Sequence, residues 1–181
     1  SNKKQVTSEK EGYYLVVSRI IGSKNVELAI ELAEKYKIGV KVAGRPVGKY
    51  GLDLVKKMKE NRYVEYLGEV SDEERGRLYS GARAFLALEE EPDFVMTAVE
   101  AQAYGTPVIA YRGGGYLESV VEGKTGVFFD ELTVESLNDA IKRLNVSMYK
   151  SISGKNCIEN ARRFSKERFR SELMERLNRM M

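Results

Sequence analysis

The 181-residue sequence contains no histidine and one cysteine, Cys157. Without histidine, this chain can build neither a His-ligated zinc site nor a Ser/His catalytic pair. A lone cysteine excludes an internal disulfide and fits a reducing compartment, so a cytoplasmic setting is expected. No apolar run approaches the roughly 18–20 residues that a membrane span needs. Charge of one sign is also lacking: 30 Lys and Arg stand against 27 Asp and Glu, a net charge of +3. That balance is too even to imply nucleic acid, and the basic density of the last thirty residues reads as a solvated helix face. No G-x-G-x-x-G follows the first apolar run and no phosphate-binding P-loop occurs, which disfavours NAD-dependent and ATP-hydrolysing chemistry. The N-terminus has no signal-like apolar stretch and no initiator Met. Residues 1–12 are expected to be a linker or tag remnant, and 13–181 one domain.

What is present is alternation. Short apolar runs at 13–18, 38–43, 64–67, 84–88, 108–111 and 127–129 are expected strands, the first rich in β-branched residues. Between them, helices are expected over 26–36, 52–59, 71–80, 97–104 and 134–144, with a short one after the glycine triplet at 113–115. Ser71-x-x-Glu74 is a capping box, and Gly105 with Pro107 ends a helix. The rest of the chain is expected to be helical over 149–163 and 166–180. Strands apolar on both faces, joined by helices, imply an α/β fold. The expected form is a doubly wound, Rossmann-like parallel sheet of about six strands with helices on both faces and extra C-terminal helices.

In such sheets ligands bind beyond the carboxyl ends of the strands, where the strand order reverses. For the order 3-2-1-4-5-6, strands one and four flank the crevice. Arg19 and Lys24, after strand one, then face the carboxylate-rich stretch Glu89-Glu90-Glu91-Pro92-Asp93 after strand four. Lys24 is either a solvated surface lysine or an anion ligand at a helix start. Arg19 either pairs with an acidic neighbour or binds the same anion. Gly113–Gly115 either approach a ligand through their amides or form a flexible connector. Glu100, on a buried-looking helix turn, needs a partner: a ligand's hydroxyl pair, Arg19, or another cation.

With these residues in place, the sequence resembles the C-terminal domain of the GT-B retaining glycosyltransferases (family 4 type), lipopolysaccharide mannosyltransferases in particular. The likeness runs through YLVVSRIIGSKN, KVAGRP, VEYLGEVSDEERGRLYSGARAFLAL, PDFVMTAVEAQAYGTPVIAYRGGGYLESVVEGKTGVFF and ARRFSKERFRSELMERL, five segments in family order. The resemblance implies a nucleotide-sugar-binding domain, the C-terminal half of an enzyme that transfers a hexose with retention. Mannose from GDP-mannose is favoured, a GDP- or UDP-linked donor being substrate rather than cofactor, and no metal is implied. The acceptor would be a glycan or lipid-linked sugar, as in polysaccharide biosynthesis. It would be held by a missing N-terminal domain, through which alone any peripheral membrane association is expected.

The resemblance also implies roles. Arg19 and Lys24 would hold the donor diphosphate and stabilise it as leaving group. Glu100, the second glutamate of an E-x7-E motif, would take the ribose hydroxyls. Gly114, Gly115 and Glu118 would lie near the sugar and phosphates, Gly44 would line the donor site, and the loop of Glu69, Val70 and Ser71 would lie against the base. The motif's first glutamate falls on Pro92. Either Glu91 or Asp93 reaches the sugar instead, or this member is catalytically altered. The last helix would bury Phe164, Phe169, Leu173 and Leu177 against the other half. Alternatives from other classes are a non-catalytic nucleotide-binding or regulatory module and half of a nucleotide-sugar epimerase.

Overall fold

The computed structural model describes residues 12–90, 92, 96–146 and 151–180, except for the side chains of 167–169 and 172. The linker expected over 1–12 lies, Gly12 apart, outside the described residues. Six strands form one parallel sheet: β1 (Tyr14–Val17), β2 (Val40–Ala43), β3 (Val64–Gly68), β4 (Ala84–Ala87), β5 (Val108–Tyr111) and β6 (Gly126–Phe129). Their order is β3-β2-β1-β4-β5-β6, the doubly wound arrangement expected. Order reverses between β1 and β4, which pair directly from Tyr14↔Ala84.

Each strand divides its apolar residues between two cores, as a period of two requires. Val16, Val42, Leu86, Ile109, Val127 and Phe129 face one layer. That layer holds α1 (Val26–Tyr36), α2 (Gly48–Glu60) and α6 (Val134–Asn145). Leu15, Phe85, Ala87, Ala110 and Phe128 face the other. There lie α3 (Asp72–Gly81), α4 (Met96–Ala103) and the short α5 (Tyr116–Ser119). Two layers of helices thus cover a sheet whose interior strands are apolar on both sides.

Helix boundaries follow capping chemistry. Ser71 accepts the amide of Glu74 at 3.1 Å, the reach of the capping box, and Thr133 does the same for Ser136 at 3.2 Å. The sequence reading differs at α2, which begins at Gly48 rather than at residue 52. Gly48 takes a left-handed φ of 63° that lets the chain turn out of the Pro46 loop directly into the helix. The helix expected over 149–163 is α7, Gly154–Arg162. Ser153 caps it by accepting the amide of Asn156 at 3.2 Å, and residues 149 and 150 lie outside the described residues. The final helix, α8, covers Lys166–Met180, as expected.

α7 docks onto α4 through a polar lock. The fully buried Gln102 donates to the carbonyl of Ser119 at 2.8 Å. Asn160 donates to Gln102 Oε1 at 2.6 Å and to the same carbonyl at 2.9 Å. Close approach is possible because Gly105 meets Gly154, where an added Cβ would lie 3.1 Å from the Gly105 carbonyl. α8 differs: all its described side chains are exposed, with Leu173 and Leu177 each at 47%. Phe164, just before it, is half-buried, and the side chain of Phe169 lies outside the described residues.

Removing one member of the lock strands a buried acceptor. Asn160→Ala is expected to cost about 2 kcal/mol, read as a lower urea midpoint at unchanged slope. An unchanged midpoint would show that water replaces the amide without penalty.

Candidate functional site

The switch point between β1 and β4 is closed from the β1 side by a three-residue 3-10 turn, Gly22–Lys24. Asn25 follows in the left-handed region (φ 53°) and starts α1. A short polar side chain tolerates that conformation. From there Asn25 donates its side-chain amide to the Leu88 carbonyl, just past β4, at 2.9 Å. One residue earlier Lys24 Nζ meets Glu89 Oε1 at 2.5 Å. The two side chains are 22% and 26% exposed, so the pair is only partly screened by water. Lys24 is therefore no free surface lysine: it faces a carboxylate across the crevice, as the strand order implied.

Arg19 lies in the loop directly after β1 and is exposed. Among the described residues no carboxylate lies within ion-pair distance of it. The loop that carries it is rigidly knitted to the loop after β2. Ile20, fully buried, donates its amide to the Arg45 carbonyl at 2.9 Å and forms a β-bridge with Pro46. Gly44 makes this possible. A Cβ there would sit 1.6 Å from the Ser18 carbonyl oxygen, at a φ of +151°. Its amide donates to Gly68 and its carbonyl accepts from the Tyr66 hydroxyl at 2.8 Å. Burial, with help from the charge of Glu69, raises the Tyr66 pKa, so the hydroxyl stays a donor. Val70, after β3, is half-buried against the second core, while Glu69 is exposed.

Glu100 sits on α4, one-third exposed. Its partner is not Arg19. Tyr79, on α3, donates its hydroxyl to Glu100 Oε2 at 3.0 Å. Arg75, one turn earlier on the same helix, holds its Nε 3.5 Å from that oxygen. Burial first, and the neighbouring carboxylate second, push the Tyr79 hydroxyl far above the phenol range, fixing it as donor. Both protein partners converge on one carboxylate oxygen.

The glycine triplet packs against the loop that follows β4. A Cβ on Gly113 would come within 2.8 Å of the Glu90 carbonyl. One on Gly114, at φ +50°, would come within 2.8 Å of Pro92. Gly115 donates its amide to the Pro92 carbonyl at 3.1 Å. The triplet is thus a close-packed junction between two loops of the crevice, not a slack connector. Pro92 itself is buried; Glu91 and Asp93 lie outside the described residues. Glu118, on the exposed side of α5, completes the set, next to a buried Tyr116. Arg112, also after β5, turns away and pairs with Asp130 at 2.6 Å beyond β6.

The fold therefore gathers the loops of Arg19, Lys24, Gly44, Glu100, Gly114, Gly115 and Glu118 at the carboxyl ends of β1, β2, β4 and β5. Glu89, from the carboxylate-rich stretch after β4, joins them, as do Asn25, Arg75 and Tyr79, which the sequence pattern did not single out. Tyr79 and Arg75 share an i, i+4 face with each other, the one signal that could have marked them. A shallow groove of about 530 Å³ lies elsewhere, between α1 and α6, lined by Leu28, Glu31, Lys35 and Glu135, and holds none of these residues. Among the described residues no group of three or more Cys, Asp or Glu is placed to hold a metal ion.

Two glycines separate backbone strain from collision. Gly48→Ala, in open space, is expected to cost about 1 kcal/mol for its positive φ alone. Gly114→Ala adds the clash with Pro92 and is expected to cost at least twice that, roughly 2–3 kcal/mol, in denaturant unfolding. Equal losses would mean that the loop of Pro92 yields freely.

Comparison with known proteins gives the family and supports the fold. Residues 1–164 match the family described as Glycosyl transferases group 1. A D-inositol 3-phosphate glycosyltransferase of Corynebacterium urealyticum is 33% identical over 129 residues, 66% of this chain and 30% of the relative. A glycogen synthase of Pseudomonas aeruginosa is 28% identical over 137 residues, 72% of this chain and 26% of the relative. In structure, the sucrose-phosphate synthase of Thermosynechococcus elongatus superposes with a TM-score of 0.78 at 25% identity, covering 94% of this chain and 45% of that one. The chain thus spans less than a third of the length of these two curated relatives, and it belongs to the group 1 glycosyl transferases.

Proposed function

We propose that this chain is the donor-binding domain of a retaining hexosyltransferase and that it binds the nucleotide sugar without transferring it alone. The observation that carries the proposal is an exposed Arg19 and a partly exposed Lys24 at the switch point, on loops braced against β2 and β4. Two cations there suit a diphosphate. As the glycosidic bond to the donor breaks, negative charge grows on that diphosphate, and preorganised cations stabilise it where no metal does. Glu100, with Oε2 taken by Tyr79 and Arg75, keeps Oε1 to accept from ribose hydroxyls. Gly114 and Glu118 lie where the sugar and phosphates would rest, and Val70 where the base would.

Glu91 or Asp93 would make the sugar contact. The acceptor would be held by another domain of a longer protein, which works in the cytoplasm and reaches any membrane through that other domain. Mannosyl transfer from GDP-mannose remains the favoured finer assignment from the sequence resemblance; the inositol, glycogen and sucrose-phosphate enzymes among the relatives make a UDP- or ADP-linked hexose its competitor. Pro92 favours a second reading. It is buried, and its carbonyl is committed to Gly115, so the position eight before Glu100 presents no carboxylate. A nucleotide-binding module without sugar chemistry would look the same.

Calorimetric titration with GDP, UDP, ADP and GDP-mannose tests both readings. One diphosphate should bind selectively, and Arg19→Ala with Lys24→Ala should weaken it at least about a hundredfold. Full affinity in the double variant would remove the diphosphate from these loops. Binding of GDP no weaker than GDP-mannose would favour the module without sugar recognition.

A further inference from the structure

We propose that Glu89 is a built-in competitor of the diphosphate: it occupies Lys24 in the empty site and must surrender it when a nucleotide binds. The inference rests on the reading of Lys24 as a diphosphate ligand and adds a residue that sets how tightly the ligand is held.

The geometry decides which partner moves. Glu89 is fixed from both sides of its backbone. The preceding carbonyl, that of Leu88, is held by the Asn25 amide at 2.9 Å. The following carbonyl, that of Glu90, packs where a Cβ on Gly113 would come within 2.8 Å. Beneath lies Tyr116, buried to 2% exposure, its hydroxyl pushed far above the phenol range by burial and then by the charge of Glu89. The backbone that carries the carboxylate is thereby held at the crevice. Lys24, in contrast, ends a three-residue turn and swings on four rotatable bonds. Exchange therefore takes the form of Lys24 leaving Glu89 for a phosphate oxygen, while Glu89 stays behind.

The carboxylate left behind is then both unpaired and next to a dianion. Each effect opposes binding, and both act in a partly desolvated crevice where screening is weak. A nucleoside diphosphate held by two cations would otherwise leave slowly after transfer, and product release limits turnover in many enzymes. Glu89 weakens that hold. Glu90, its neighbour, is exposed and has no ion pair among the described residues, so it serves as a control for net charge alone.

The test is calorimetry of the 181-residue chain with UDP and with GDP, each variant first shown to be folded by its thermal unfolding midpoint. Glu89→Gln keeps size and hydrogen bonding but removes the charge. It should tighten the diphosphate that the wild type binds about tenfold, while Glu90→Gln should change it less than about twofold. In a Lys24→Met background, Glu89→Gln should give a smaller gain than with Lys24 present, because only the direct repulsion of the diphosphate is then relieved. Unchanged or weaker binding by Glu89→Gln overturns the proposal, as does an equal gain from Glu90→Gln or a full gain without Lys24. Those outcomes leave donor binding by the wild type intact. If neither folded wild type nor folded Glu89→Gln binds UDP, GDP or, titrated in the same way, ADP, donor binding itself fails and the competitor role falls with it.

Discussion

The reversal of strand order between β1 and β4 sends the chain after these two strands to opposite faces of the sheet, α1 to one and α4 to the other, and side chains tie the two departing loops together. Asn25 does this first: its amide on the Leu88 carbonyl fixes the start of α1 relative to the end of β4. Everything proposed for the site follows from that brace. Lys24 is placed opposite Glu89 because Asn25 turns left-handed immediately after it. The same residue starts α1, and an anion at a helix start gains from the aligned peptide dipoles.

Close backbone approach provides the second brace. Gly44 lets the loop after β2 lie directly against Ser18, and Gly113 and Gly114 let the loop after β5 lie against Glu90 and Pro92. In each case the missing Cβ is replaced by a neighbouring carbonyl or ring. The crevice is thereby walled by main chain on two sides, leaving side chains of Arg19, Lys24 and Glu100 as its chemically variable content. Preorganisation of this kind lowers the entropy lost when a ligand binds.

Much of this was legible in the sequence. The runs that became β1 to β6 carry apolar residues at nearly every position, so period and length identify a covered parallel sheet, whereas its order was taken as the usual one for a doubly wound sheet and is fixed by the structure. Ser71-x-x-Glu74 marked α3 within one residue. Arg19 and Lys24 drew attention by position, one directly after the first strand and one at a helix start. Partners were not legible. Whether Glu100 meets Arg19 or Arg75 depends on where α3 packs against α4, which periodicity does not encode. Gly44 was legible as a turn, but its contact with Ser18 joins two loops 26 positions apart and has no local signature. Pro92 stood out as a departure from a motif, and only the structure shows its carbonyl spent on Gly115.

The exposure of α8 has a thermodynamic corollary. An isolated helix of 15 residues in water sits close to its coil midpoint, and one i,i+4 pair, Glu175 with Arg179, adds only a few tenths of a kcal/mol. Every described side chain of α8 is exposed, so none of these couples the helix's folding to that of the sheet. The chain therefore carries two stability scales. Backbone amides in β1 or β4 open only when the whole domain unfolds, whereas those of α8 exchange with solvent and meet proteases at rates near those of a free peptide. Trypsin cutting at Lys166 or Arg170 would shorten the protein and leave the donor crevice standing.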